Sequence, residues 1–378
     1  MNARTPQIVE IDFEDVQAGL APHSVAFLVS GSRHPCGVEM FERELARAAQ
    51  ALGTPVSNLV IGGHWRDART LWHALAGVRA LVVSLPVVAW KKTIFTPLLA
   101  LVIARLRGAR TVVILHEWGD LNPMRRACFS VYLLFAKSVM TSSPNVRRDF
   151  QASAVGRLRV DQGLVPIPPN IAPPQERVST QAVRRLRKER ASGRFILGQF
   201  GSIYPKKQAS FLLEVARDAR NRGLDVFVVF IGGFVKGRDD GEAQFLARVK
   251  ELGLEDFVLV TGYIETDAEI HSLFDAVDIF VYAFAEGLTS RRGSVLACLQ
   301  SGRPVLANAP IDADEFDHHP VFQDLIDRGA LHFVPSNASA SDFAEAVAEI
   351  GHRPPLTAPK IFATAWQDAA IALRKALR

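Results

Sequence analysis

Glu286, Arg291 and Arg292 crowd around a turn at Gly287 in the stretch Val281–Leu306, VYAFAEGLTSRRGSVLACLQSGRPVL. One carboxylate and two guanidinium groups beside a helix start are the parts of an anion-binding corner. The run Asp278–Tyr282, DIFVY, has the β-branched and aromatic content of a buried strand, and Glu286-Gly287 interrupts it. A helix is expected from near Ser290, with unpaired amides and a positive dipole end that suit a phosphate, and with both arginines adding charge there. Ser301-Gly302-Arg303-Pro304 closes this helix, and Val305–Ala307 reads as the next strand.

A second phosphate-facing element is Gly198–Lys207, GQFGSIYPKK, in which a strand runs into the turn Gly201-Ser202 and two lysines precede a helix. Glycine lets a backbone approach a ligand closely, and a lysine neutralises a diphosphate. Solvated lysines beside a turn are the competing reading. His116 follows the strand TVVIL and precedes Glu117-Trp118-Gly119-Asp120, so it stands at a strand's C-terminal end, where open α/β sheets bind ligands. An imidazole with a purely structural hydrogen bond is its alternative, and an exposed ion pair with arginine is that of Glu286.

At these residues the sequence resembles retaining glycosyltransferases of family 4, which have the α/β fold called GT-B: two Rossmann-like domains with parallel sheets facing a central cleft. In that family a Glu near a strand end is followed, after seven intervening residues, by a second Glu on the helix; here the two positions hold Glu286 and Ser294. The resemblance implies that Glu286 accepts hydrogen bonds from the donor sugar, a role that suits a carboxylate with several lone-pair sites. It implies that Gly201 and Lys207 grip the diphosphate, with Ser202 where the family has an arginine, so that Arg291 or Arg292 supplies the charge missing there. Gly287, Leu288, Thr289, Ser290 and Ser294 complete the implied donor contacts, and the nucleobase falls against the backbone of Tyr263 and Ile264. His116 matches the family histidine near donor sugar and acceptor, and the loop Gly31–Gly37 matches, loosely, a glycine loop facing the acceptor. The pattern Gly287-x-x-Ser290-x-Arg292-Gly293-Ser294 is similar to a branch associated with cell-surface polysaccharide synthesis. The implied donor is a UDP- or GDP-sugar, used without a metal or other cofactor.

Strands that alternate with helices must position these groups. Strands are expected at Ser24–Ser30, Leu59–Ile61, Ala80–Leu85, Thr111–Leu115 and Lys137–Thr141, with an amphipathic helix Val38–Leu52 after the first. Leu164–Pro174 holds five prolines in eleven residues, the composition of an extended connector, and marks a domain boundary. A second series follows at Phe195–Phe200, Val226–Ile231, Val258–Thr261, Ile279–Tyr282 and Val305–Ala307. The expected division is a leader 1–23, an acceptor domain 24–168 and a donor domain 169–358, with a last helix 359–378 that, by the resemblance, returns to the first domain.

Composition narrows the function classes. The 378 residues, 48% hydrophobic and 22% charged, are enough for two globular cores. Cys36, Cys128 and Cys298 are too far apart for a disulfide framework or a zinc spacing, which fits a reducing cytoplasm. No secretory leader opens the chain, and no apolar run reaches the roughly 18 residues that span a bilayer. Residues 1–165 hold 19 Lys and Arg against 12 Asp and Glu, and the remainder 25 against 27, so the positive charge is N-terminal. That excess suits an anionic membrane surface or acceptor, whereas nucleic acid lacks any accompanying motif. The segments KKTIFTPLLALVIARLR (91–107) and RRACFSVYLLFAK (125–137) have the basic, apolar character of helices that lie on membranes or are buried in α/β domains. Neither a P-loop nor a dinucleotide fingerprint follows the first strand.

The expected function is transfer of a sugar to a glycan or lipid-linked acceptor in surface polysaccharide synthesis, in the cytoplasm or at the inner face of the membrane. Two alternatives stay open: a non-catalytic GT-B scaffold or regulator, suggested by Ser202 and Ser294, and a sugar-nucleotide epimerase of the same fold.

Overall fold

The computed structural model describes residues 10–11, 22–31, 36–61, 68–91, 95–158, 162–169, 171, 173–174, 176–203, 209–234, 241–351 and 360–378. The chain divides into two units, Met1–Asn170 with Ala363–Arg378, and Ile171–Phe362.

In the first unit, β1 (Glu10–Ile11), β2 (Val25–Ser30), β3 (Val56–Ile61), β4 (Ala80–Leu85), β5 (Arg110–Leu115), β6 (Ser138–Thr141) and β7 (Gln162–Leu164) form a parallel sheet in the order β1-β3-β2-β4-β5-β6-β7. Every residue of β2, β3 and β4 is buried, as a parallel sheet covered on both faces requires. Side chains alternate between two layers. Leu28, Leu81, Val83 and Leu115 pack with the helices Phe95–Leu106 and Pro123–Phe135. Phe27, Val82 and Ile114 pack with Phe41 and Leu45 of the helix Gly37–Ala51, and with Ala369, Ala370 and Leu373 of the helix Ala365–Ala376. Arg110 Nε fastens this last helix by donating to the Ala376 carbonyl at 2.7 Å, meeting one of the carbonyls that a helix end leaves unpaired.

In the second unit, β8 (Phe195–Phe200), β9 (Val226–Ile231), β10 (Val258–Val260), β11 (Ile279–Tyr282), β12 (Val305–Asn308) and β13 (Leu331–Val334) are also parallel, in the order β10-β9-β8-β11-β12-β13. The order reverses between β8 and β11. Such a reversal opens a crevice at the strands' carboxyl ends, because the connections from the two strands leave in opposite directions. Gly198 in β8 allows tight packing there: a Cβ would meet Val277 at 2.8 Å and Phe280 at 2.9 Å. The helices Ala209–Asn221 and Ala340–Ile350 cover one face, with Phe211 and Phe343 meeting edge to face at 5.2 Å.

Several boundaries differ from expectation. Within the segment 1–23, expected as a leader, Glu10 and Ile11 pair with Asn58 and Leu59 as an edge of the first sheet, a strand too short for any periodicity to announce. β7 and β13 were not expected; β13, LHFV, is buried only at its two ends and so lacks an alternating or continuous apolar signal. The expected helix 91–107 is a 3-10 turn, Val88–Lys91, and a helix Phe95–Leu106 that carries Pro97 in its first turn, where a missing N–H costs nothing. The helix expected from Arg125 starts at Pro123, capped by Asn122 Oδ1 accepting from the Arg125 amide at 2.8 Å.

Candidate functional site

The crevice of the second unit is built from glycines and one charged turn. Gly201, at φ 120°, follows β8, and its amide donates to the Ile231 carbonyl at 3.0 Å. Gly232, at φ 146°, follows β9, and a Cβ on it would lie 2.3 Å from the Gly201 carbonyl oxygen, so the two loops touch through backbone alone. Ser202 comes next, and Ile203 donates to the Gly233 carbonyl at 2.9 Å. Lys207 lies outside the described residues. After β10, Gly262 at φ 76° turns the chain, and Tyr263 stands 80% exposed with its amide nitrogen 3.1 Å from where a Cβ of Gly233 would sit. Ile264 follows it, half-buried. These residues thus share the carboxyl end of one sheet.

The charged turn follows β11. Gly287, at φ 71°, passes so close to Ala309 that a Cβ would lie 2.3 Å from its carbonyl oxygen. Asn308, at the end of β12, accepts from the Phe284 amide at 3.0 Å and donates to the Phe284 carbonyl at 2.7 Å, and its own carbonyl accepts from Leu288 at 3.1 Å. Leu288, Thr289 and Ser290 are buried. One oxygen of the buried Glu315 accepts from both the amide and the hydroxyl of Ser290, at 2.7 and 2.8 Å. Glu286 pairs with Arg292 and, at 3.5 Å, with Arg291. The guanidinium of Arg292 also lies over the Phe284 ring, 4.5 Å from its centroid.

Two expectations change here. The helix starts at Gly293, not near Ser290, because Glu315 holds Ser290 in the preceding turn. Its end is also less open than a bare helix start: the Gly293 and Val295 amides donate to the Arg291 and Arg292 carbonyls, at 3.1 and 2.9 Å. The positive charge at this corner therefore comes mainly from the arginine side chains. Ser294, where the resemblance puts a donor contact, lies beside the buried Tyr282 hydroxyl, whose own bonds go to the Phe200 backbone.

In the first unit the carboxyl end of the sheet carries His116. It follows β5, is 8% exposed, donates from its amide to the Leu85 carbonyl at 2.8 Å, and meets the edge of Phe41 at 4.9 Å. The loop after it needs Gly119, because a Cβ there would collide with the Asp149 carboxylate at 2.2 Å. After β2, Gly31 is exposed, residues 32–35 lie outside the described residues, and Gly37 opens the next helix. Ser30 Oγ donates to the buried Glu39 at 2.7 Å, and Arg43 donates to both Ser30 O and Glu39, at 3.1 and 3.4 Å. One turn further, Glu42 is fully buried and accepts from the Ser84 amide at 3.0 Å; burial drives its carboxyl well above the usual range, and the Ser84 bond only partly opposes that.

Residues 194–352 match the family of Glycosyl transferases group 1. The second unit thus resembles a group 1 glycosyltransferase domain over most of its length. Both units together have the GT-B fold. HepE of Anabaena in complex with UDP aligns with a TM-score of 0.60 at 16% identity, over 93% of this chain and 95% of that one. The same protein with UDP-glucose gives 0.58 at 16%, over 93% and 99%. Sucrose-phosphate synthase of Thermosynechococcus elongatus gives 0.58 at 16%, over 94% and 95%. At such identities the likeness is one of fold. Comparison with curated sequences gives no match.

Within the second unit, the sequence pointed to the charged turn but not to what holds it. Asn308 and Glu315 act from 24 and 25 residues away, on the next strand and the loop beyond it. An Asn at a strand end and a Glu in the acidic run IDADEFD carry no periodic signal. Among the described residues no group of three or more His, Cys, Asp or Glu is placed to hold a metal ion.

Proposed function

We propose that the chain is a metal-independent, retaining glycosyltransferase that moves a sugar from a nucleoside-diphosphate sugar to a glycan or lipid-linked hydroxyl in surface polysaccharide synthesis. The observation that supports this reading is that the Gly201 turn follows β8 and the ion-paired Glu286, Arg291 and Arg292 follow the neighbouring β11, in the region that matches the group 1 family. UDP is the favoured nucleotide, since the HepE complexes hold UDP and UDP-glucose.

Chemistry at such a site needs stabilisation of charge on the departing diphosphate. Arg291 and Arg292 supply it from a half-buried position, where a fixed cation acts more strongly than in water, and Gly201, at φ 120°, presents backbone without a side chain after the neighbouring strand β8. Lys207 adds a further cation to this reading. Glu286, paired with both arginines in the free protein, accepts sugar hydroxyls once phosphate takes its place. Gly287 to Ser290 shape the turn, and the exposed Tyr263, with Ile264, offers backbone to the base. His116 and the loop between Gly31 and Gly37 serve the acceptor side of the first unit. Front-face attack, with the leaving phosphate helping to deprotonate the acceptor, requires no nucleophile from the protein.

The first unit also presents a surface suited to an anionic membrane. Phe95 and Met124 are each 74% exposed, Leu106 and Leu134 stand exposed on the same two helices, and residues 66–137 hold eleven Lys and Arg against three Asp and Glu. A basic rim around exposed apolar side chains is the chemistry that anionic bilayers bind. The reading places the enzyme at the inner face of the membrane, close to a lipid-linked acceptor. No helix among the described residues is long and apolar enough to cross it.

The test is release of free nucleotide from a panel of UDP- and GDP-sugars, with and without EDTA, and NMR of the product's anomeric configuration. One donor turned over equally with EDTA, with its anomeric configuration kept, is the expected result. Nucleotide binding without turnover on any acceptor would favour a scaffold, and conversion of the donor to its epimer would favour an epimerase.

A further inference from the structure

β8 and β11, the strands that flank the crevice, register Leu197 with Ile279 and Gly198 with Phe280, and the ladder ends there although both strands run on. Beyond that point a side chain takes over from the backbone. The hydroxyl of Tyr282 accepts from the Phe200 amide at 2.9 Å and donates to the Phe200 carbonyl at 2.9 Å. Ser294, in the first turn of the helix Gly293–Gln300, lies beside it, and Cys298 Sγ lies 3.3 Å away one turn on. The same ring stacks on Phe284 with centroids 5.7 Å apart and planes 7° from parallel, and Phe284 in turn carries the Arg292 guanidinium.

Tyr282 is 2% exposed and touches three parts of the candidate site: the residue before Gly201, the helix start at Ser294 and the platform under Arg292. We propose that Tyr282 is a positioning residue that sets the spacing between the Gly201 loop and the Arg292 turn, and so fits the crevice to a diphosphate. This rests on the donor-site reading above. It gives Ser294 a place here, beside the phenol that spans the crevice floor. A phenol is suited to the task because it is rigid and can both give and accept a hydrogen bond. Its effect reaches the ligand's phosphates and not the nucleoside, because the loops it joins follow β8 and β11, whereas Tyr263 follows β10.

Calorimetric titration of the full chain with uridine and with UDP tests this, in wild type, Tyr282→Phe and Ser294→Ala. Removing the Tyr282 hydroxyl strands the Phe200 backbone groups, so Tyr282→Phe is expected to weaken UDP about tenfold while uridine changes by less than about twofold. Ser294→Ala keeps the phenol's bonds to Phe200 and is expected to weaken UDP about threefold, again sparing uridine. It stands in for Tyr282→Phe if that variant does not fold. A Tyr282→Phe protein that melts earlier yet binds UDP as wild type does, or one that loses uridine and UDP equally, overturns the proposal. Wild-type protein that binds none of UDP, GDP or ADP overturns the donor-site reading itself, and this inference with it.

Discussion

Arg292 is shared between two unlike partners, the carboxylate of Glu286 on one side and the ring of Phe284 on the other. The carboxylate is the more exposed member of the ion pair, at 36% against 19% for the arginine side chain. The cation is thus fixed by the protein, and the anion is the part that can be exchanged.

Substituting Glu286 should separate binding from turnover. Glu286→Gln removes the charge that competes with phosphate for Arg291 and Arg292, so UDP affinity is expected to stay level or rise by up to about tenfold, while sugar transfer falls by about a hundredfold or more. Titration calorimetry and a nucleotide-release assay on the same preparation decide it. Equal losses in both would make Glu286 a structural partner of the arginines.

Arg292→Ala should act in the opposite sense. Loss of a half-buried cation facing a diphosphate is expected to weaken UDP by about ten- to a hundredfold, with a steeper loss at low salt, where the lost attraction is least screened. A salt series of UDP affinities for wild type and variant is the measurement.

His116→Ala is expected to lower turnover by about a hundredfold while leaving UDP affinity within about twofold, because His116 belongs to the first unit and the proposed nucleotide site to the second. A large loss of UDP binding would tie the imidazole to the nucleotide instead of the acceptor.

Asn308→Ala should be the costliest of these changes for folding. The Asn308 side chain holds both backbone groups of Phe284 and donates to the Ser336 carbonyl at 3.3 Å, from a site only 4% exposed. Losing buried hydrogen bonds to backbone costs about 2–4 kcal/mol, readable in urea unfolding.

The pH dependence of stability should trace to Glu42. Burial pushes its folded carboxyl well above the usual carboxylate range, so folding favours the protonated form. That contribution is complete below the unfolded value and is lost as pH rises through the folded one. Melting temperature is therefore expected to fall over that rise in wild type, and to stay flatter in Glu42→Gln, which keeps the shape without the ionisation.

The fold was legible where the chain spends apolar residues in runs. VAFLVS, ALVVSL and VFVVFI announce central strands because a parallel sheet buries both faces, and the glycines after them announce loops. The edge strands β1, β7 and β13 escaped because they need few apolar side chains, whereas the edge strand β10 was legible as FVLVTG. The charged corner was legible as a group of residue types, and the structure brings Glu286, Arg291 and Arg292 together as ion partners. What could not be read was the scaffold of the corner. Tyr282 looked like one more strand aromatic until its hydroxyl was seen to take both backbone groups of Phe200.

In both units the strands at the reversal part company before they end, since β2 and β4 register only as far as Phe27 with Val82. Beyond that, Ser84 bonds to Glu42 as Phe200 bonds to Tyr282. Each reversal therefore carries one buried polar side chain, a carboxyl in the first unit and a phenol in the second. Burial resists ionisation of both, but a carboxyl and a phenol start from values far apart, and the Ser84 amide bond favours the charged form of Glu42. Rising pH should thus put charge into the core of the first unit before it reaches the crevice floor of the second.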